Sequence, residues 1–178
     1  ILSTPIVSRW CDKRSVMICA MAMMSLGHLC LAVLPQRLDL AFICIGFLPY
    51  FGMGLSGGVL WSMIADSVDY ADLRIGCRAE GACYGAAIFS QKIAFAVGGA
   101  LTGLMLAGVG YRPDTTQSAE ALRGIYHLVG FVPGVLMLLA AGAAVAYPLS
   151  ARTMLDIRLA LESRRYLAGA VAEPRTTS

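Results

Sequence analysis

Lys92 lies inside an apolar stretch, residues 83–109, next to Ser90 and Gln91. A charged side chain near the middle of a bilayer costs roughly 2.5 to 3.5 kcal/mol even on lenient insertion scales. Its ammonium therefore needs a partner, water, or a route to the interface along its four-carbon stem. At about 1.5 Å per residue from Cys83, the Lys92 Cα lies about 13 to 14 Å deep, near the limit of what snorkelling relieves. On a helix Gly85, Ile88, Ala96 and Gly99 share its side, so the expectation is that Lys92 points at close-packed neighbours or a cavity. Gln91, Trp61 and Tyr84 join it as candidates for a solute or cation site. Trp61 has two open roles: a flat platform on which a ring could stack, or an interfacial belt residue.

A second cluster is charged throughout: Asp66, Asp69, Asp72, Arg74, Arg78 and Glu80 follow one another closely, and Arg9 and Asp12 lie in another basic segment. Opposite charges here can pair and close one end of a bundle in one conformation, or simply be solvated. Exposed pairs contribute only ~0 to 1 kcal/mol each, enough to bias two states of similar energy. Other chemistry finds little footing. His28 and His127 stand apart with no ligand spacing, so no metal site is expected. The six cysteines form no CxxC pair and read as small buried hydrophobes. No catalytic constellation emerges, and neither an enzyme nor a cofactor is expected.

The elements that must position these residues are membrane helices. Hydrophobic residues make up 58% and charged residues 14%, with a mean hydropathy of +0.70, where soluble domains carry about 25% charge. Four runs, 15–34, 38–65, 83–109 and 124–147, each reach the ~20 residues needed to cross the hydrocarbon. The fold class is thus an all-α membrane protein of four transmembrane helices. The second run is long and holds Pro49 among several glycines, so a tilt or kink is expected. Gly54 with Gly58, Gly81 with Gly85, Gly99 with Gly103 and Gly130 with Gly134 are small residues four apart, which lets helices approach closely. Residues 1–14 read as the end of an earlier span and a basic loop, and 148–178 as a tail. Within the tail, 150–166 reads as an amphipathic helix at the membrane surface, with disorder after Gly169.

Basic residues set the orientation. Arg9, Lys13 and Arg14 precede the first span, Arg74 and Arg78 lie between the second and third, and Arg152, Arg158, Arg164, Arg165 and Arg175 follow the fourth. Only Arg37, Arg112 and Arg123 fall on the other side. The positive-inside rule then makes both termini cytoplasmic. Basic residues are not interleaved with aromatics as single-strand binders require, which argues against a nucleic-acid partner. The chain begins at Ile1 with no signal-peptide pattern, and is expected to be the C-terminal piece of a longer protein.

Several motifs converge on one resemblance. Met63-Ile-Ala-Asp66-Ser-Val-Asp69-Tyr70, then Gly76-Cys-Arg78-Ala-Glu80-Gly81, then Phe89-Ser-Gln91-Lys92 resemble the signature of the glycoside-pentoside-hexuronide cation symporters. These form the melibiose-carrier branch of the major facilitator superfamily. Arg9-Trp-Cys-Asp12-Lys13-Arg14 is similar to the basic loop before the ninth helix of such carriers. Gly110-Tyr111-Arg-Pro113-Asp-Thr-Thr-Gln117-Ser118 is similar to their last extracellular loop, and Tyr147-Pro148-Leu149 to the start of their tail. The match runs in order over nearly the whole chain.

The resemblance implies that the four spans are helices nine to twelve of a twelve-helix carrier in the bacterial inner membrane. It implies a sugar or glycoside moved together with Na+ or H+ by alternating access. The partners are then that small molecule, membrane lipid and the N-terminal helices of the same carrier. Lys92 matches the lysine of helix eleven that faces the central cavity near carboxylates of the other half. Two departures bear on the solute. Gly57 stands where the melibiose carrier has its sugar-packing aromatic, with Trp61 one turn later, and Ala87 and Ile88 replace polar groups. A carrier of lysolipid or another amphipathic solute, or a non-transporting or truncated membrane protein, stays open beside the symporter reading.

Overall fold

The computed structural model describes residues 12–34 and 40–172, with side chains through 167. Five helices follow in order: α1 (Lys13–Val33), α2 (Leu40–Ile75), α3 (Glu80–Gly108), α4 (Ala119–Val145) and α5 (Ala151–Ala172). The first four are long and apolar enough to cross a membrane. The expected end of an earlier span at residues 1–7, the site candidate Arg9, and Arg37 lie outside the described residues. So does the end of the tail, 173–178; the backbone before it stays helical to Ala172 where disorder was expected after Gly169.

Local chemistry sets the helix ends. Ser118 caps α4, its hydroxyl accepting from the Ala121 N–H at 3.1 Å. Gly76 follows α2 at φ +73° and donates its N–H to the Asp72 carbonyl at 2.9 Å, a left-handed cap that a residue without Cβ adopts freely. α2 continues through Pro49, and its 36 residues make a rod of about 54 Å. That overruns a hydrocarbon core of ~30 Å, so the helix carries Asp66, Asp69 and Asp72 beyond the apolar run that ends at Ala65.

α1 is the centre of the bundle, packed along α2 on one side and α4 on the other. Small residues make both contacts possible. A Cβ on Gly52 would stand 2.6 Å from the Ala20 carbonyl oxygen, and one on Gly27 would stand 2.5 Å from Pro49 Cδ. On the other side Gly130 lies against Ala32 and Gly134 against Leu29, where a Cβ would come within 2.6 and 2.7 Å. Of the four expected glycine pairs, Gly130 with Gly134 is thus seated in a helix contact. The buried Ser25 hydroxyl donates to the Gly134 carbonyl at 2.7 Å, and interhelical bonds of this kind contribute about 0.6 kcal/mol on average. His28 turns its Nδ1 to its own helix, 2.8 Å from the Met24 carbonyl oxygen.

α3 behaves differently. It has no buried residue, and within the described residues it is held mainly near its ends. Tyr84 stacks on Trp61 of α2 at one end, and at the other Val109, just past α3, presses on Gly124 of α4. Between them Gly85, Gly98, Gly99 and Gly103 have nothing within 4 Å. The close-packed neighbours expected around the Gly85–Gly99 face are not supplied by any described residue.

α5 seats its apolar stripe on the bundle. Met154, Ile157 and Leu161 are buried with Leu149, against Leu73 of α2 and Tyr147. The i, i+3, i+7 stripe of this amphipathic helix is the face used against α2. Leu155, Leu159 and Tyr166 form a separate exposed stripe.

Candidate functional site

Asp66 is the buried charge among the described residues, 2% exposed in the late part of α2. A carboxylate out of water needs counter-charges and hydrogen bonds. It has both: Lys13 Nζ lies 2.6 Å from one oxygen and an Arg158 guanidinium nitrogen 3.3 Å from the other. Arg158 also reaches toward Asp69 at 4.0 Å. The start of α1, the late part of α2 and the tail helix α5 are thereby joined by one knot of charge. Asp12, Lys13, Asp66, Met154 and Arg158 line a cavity of about 200 Å³ beside it.

Neighbouring polar contacts tighten the same end. The Arg14 guanidinium donates to the Val145 carbonyl at the end of α4. The Tyr147 hydroxyl donates to the Met63 carbonyl at 3.2 Å, and Ser67 donates to that same oxygen at 3.0 Å. Burial pushes the Tyr147 phenol above its ordinary value of 10; the Ser67 hydroxyl pulls the other way, and the nearby Asp66 and Asp12 charges add to the rise. The N-terminal end of α1, the far end of α2, the end of α4 and α5 therefore meet at one end of the bundle, the set of segments that the basic residues group on one side.

The structure shows which of the charged gate candidates pair. Asp66 and Asp69 do not pair with Arg74 or Arg78; they turn to Lys13 and Arg158. Arg78 pairs with Glu80 at 2.6 Å, both half-exposed, and the Glu80 hydrogen bond and charge raise the Arg78 pKa. Arg74 donates to the Tyr70 hydroxyl at 3.2 Å and lies 5.5 Å from that ring's centroid. Asp12 lines the cavity. The reason is geometric: α2 stays helical to Ile75, so Asp66 and Asp69 face neighbouring helices and not their own loop. Lys13 was legible in principle, since two helices joined by a short connection run antiparallel and bring the first residue of one beside the end of the other. Arg158 has a weaker signal, its place beside the Met154–Ile157–Leu161 stripe.

The other candidates fall on α2 and α3. Trp61 and Tyr84 meet with ring centroids 6.2 Å apart and planes inclined by 15°, Trp61 remaining 45% exposed. Such a pair contributes about 0.5 to 1.5 kcal/mol beyond its area and offers a flat apolar edge. Gln91 and Lys92 stand two turns further along α3, exposed, and Lys92 makes no ion pair among the described residues. The structure thus joins Trp61 with Tyr84, and Asp66 with Asp69, but does not bring these two groups or Lys92 together.

Comparison with known proteins places this arrangement. The sequence model of the family described as "MFS/sugar transport protein" matches residues 1–151. The chain belongs to that family. The family assignment agrees with the resemblance read from the Asp66–Lys92 motifs. Among relatives, an isoprimeverose transporter of Lactiplantibacillus pentosus is 36% identical over 148 residues, covering 83% of this chain and 31% of the relative. A putative sulfoquinovose importer of Escherichia coli (strain K12) is 30% identical over 141 residues, 79% of this chain and 30% of the relative. A glucuronide carrier protein homolog of the same organism is 32% identical over 114 residues, 64% of this chain and 25% of the relative. The chain therefore spans about a third or less of the curated relatives it matches. No solved structure matches it at a significant level. Membership of this family and four apolar helices make it an integral membrane protein.

Proposed function

We propose that this chain forms helices nine to twelve of a secondary transporter that carries a sugar or glycoside together with Na+ or H+ by alternating access. The observation that carries the reading is Lys92: a cation midway along a helix fit to cross a membrane, exposed, without an ion pair among the described residues, on a helix with no buried side chain. Such a residue in lipid faces a bundle interior or a watery cavity and pairs with other charges. The sites of secondary transporters lie near the midplane at the repeat interface, so the counter-charges belong to the N-terminal helices. A lysine close to carboxylates keeps its charge and responds to whether a cation occupies the site. The names of the relatives support a carbohydrate-like solute, and the exposed Trp61–Tyr84 edge supplies a surface for a sugar ring. The Asp66 knot forms the cytoplasmic closure, and both ends of this chain lie in the cytoplasm.

Uphill uptake and counterflow by the whole carrier test this. Lys92→Ala abolishes accumulation against a gradient while the protein still inserts. Lys92→Arg rescues poorly, because a planar guanidinium does not replace a compact ammonium in a fixed cavity. Near-normal accumulation by Lys92→Ala reduces Lys92 to a snorkelling anchor. Single cysteines at Ser118 and Ser163 test orientation: an impermeant reagent applied outside labels the first only, and equal labelling overturns the assignment.

A further inference from the structure

A second concavity opens beside the Asp66 knot, between the end of α2, the α2–α3 turn and α5. It measures about 240 Å³ and is lined by Asp69, Arg78, Arg158, Leu161, Glu162 and Arg165. Three guanidiniums from two separate segments thus face one space against two carboxylates. Arg78 spends its Nε on Glu80, which leaves its terminal nitrogens open. Arg158 is divided between Asp66 and Asp69. Arg165 makes no ion pair among the described residues. Glu80 and Asp66 thus take contacts from Arg78 and Arg158 beside the two lining carboxylates, and the donors left over are the Arg165 guanidinium and the terminal nitrogens of Arg78, planar forks that match tetrahedral oxyanions in bidentate fashion.

Depth identifies the source of the anion. Asp69 lies four residues past Ala65, about 6 Å beyond the end of the apolar run, within a headgroup layer of roughly 5 to 7 Å. Leu161 gives the space an apolar wall, and the exposed stripe Leu155, Leu159 and Tyr166 lies on the adjoining side of α5. A site with open guanidinium donors, just past the apolar run and bordered by apolar side chains, fits a lipid better than a soluble ion.

We propose that the Arg78–Arg158–Arg165 concavity binds the phosphate of an anionic phospholipid and so fastens the tail helix to the membrane face of the bundle. The proposal concerns binding alone and is independent of what the protein transports.

The test is native mass spectrometry of the full 178-residue chain titrated with phosphatidylglycerol or phosphatidylcholine. The wild type retains phosphatidylglycerol preferentially. Arg165→Gln weakens that retention about fivefold, the effect of one basic residue near a charged surface, and Arg78→Gln, on a different segment, does the same. Arg165→Lys loses less, and Arg152→Gln, outside the concavity on the same helix, loses nothing. Equal retention by Arg165→Gln and wild type overturns the proposal, as does an equal loss in Arg152→Gln, which marks general charge attraction. Displacement of the lipid by millimolar inorganic phosphate or glycerol phosphate also overturns it, in favour of a soluble ligand.

Discussion

Asp66 and Lys92 are both charged residues on helices fit to cross a membrane, yet their surroundings are opposite. Asp66 is 2% exposed and held by cations from two other helices; Lys92 stands exposed on a helix that buries nothing. Among the described residues the first has its counter-charges and the second has none. One region therefore answers to substitution through folding, the other through what it meets later, and measurements of stability and of transport should rank their residues in opposite orders.

The largest loss of stability is expected at Asp66. Asp66→Ala leaves Lys13 and Arg158 without their shared counter-charge. Because those cations are 26% and 57% exposed, the cost falls at the low end for a broken buried pair, about 3 kcal/mol. Thermal unfolding in detergent reads it, and a change below that of a surface control breaks the comparison. Gly130→Leu comes next: the added side chain runs into Ala32 and costs about 1 to 3 kcal/mol. Gly103→Leu, where nothing lies within 4 Å, stays within about 0.5 kcal/mol in this chain, and on the proposed reading it blocks assembly with the N-terminal helices of the carrier, which co-purification of the two parts checks.

Tyr147→Phe removes the bond to the Met63 carbonyl and costs about 1 kcal/mol. It also changes the alkaline limb. The folded phenol has a raised pKa, so its contribution is whole below the unfolded value near 10 and is lost as pH rises through the folded one. Thermal scans between about pH 8 and 11 should therefore fall more steeply for wild type than for Tyr147→Phe. The smallest change in stability is expected at Lys92→Ala, within about 0.5 kcal/mol, beside the complete loss of accumulation. A large drop in melting temperature there ends the contrast with Asp66.

Much of this molecule could be read from its sequence because membrane helices announce themselves by length and apolarity. The four spans and the common end of Lys13, Arg78 and Arg158 followed from that and from the basic residues. The pairing partners of Asp66 did not. Charge pairing depends on which faces meet, and the 65–75 segment reads as a polar loop although it continues the helix. The tail stripe reads as amphipathic from its spacing, but that its partners are Leu73 and Tyr147 does not follow from spacing. Nor does spacing reveal that Gly130 and Gly134 meet α1 while Gly99 and Gly103 meet nothing described.

The central position of α1 has a consequence for biosynthesis. One of its flanks is covered by α2, the next helix to be made, but the other waits for α4. At about 5 to 20 residues per second, roughly 6 to 22 s separates the completion of α1 from that of α4. During that interval Ser25 lacks the Gly134 carbonyl, and its hydroxyl falls back on a carbonyl of its own helix. The seam along Leu29 and Ala32 stays open to lipid or to a passing chain, so the newborn protein is most vulnerable to misassembly or proteolysis before its fourth helix arrives.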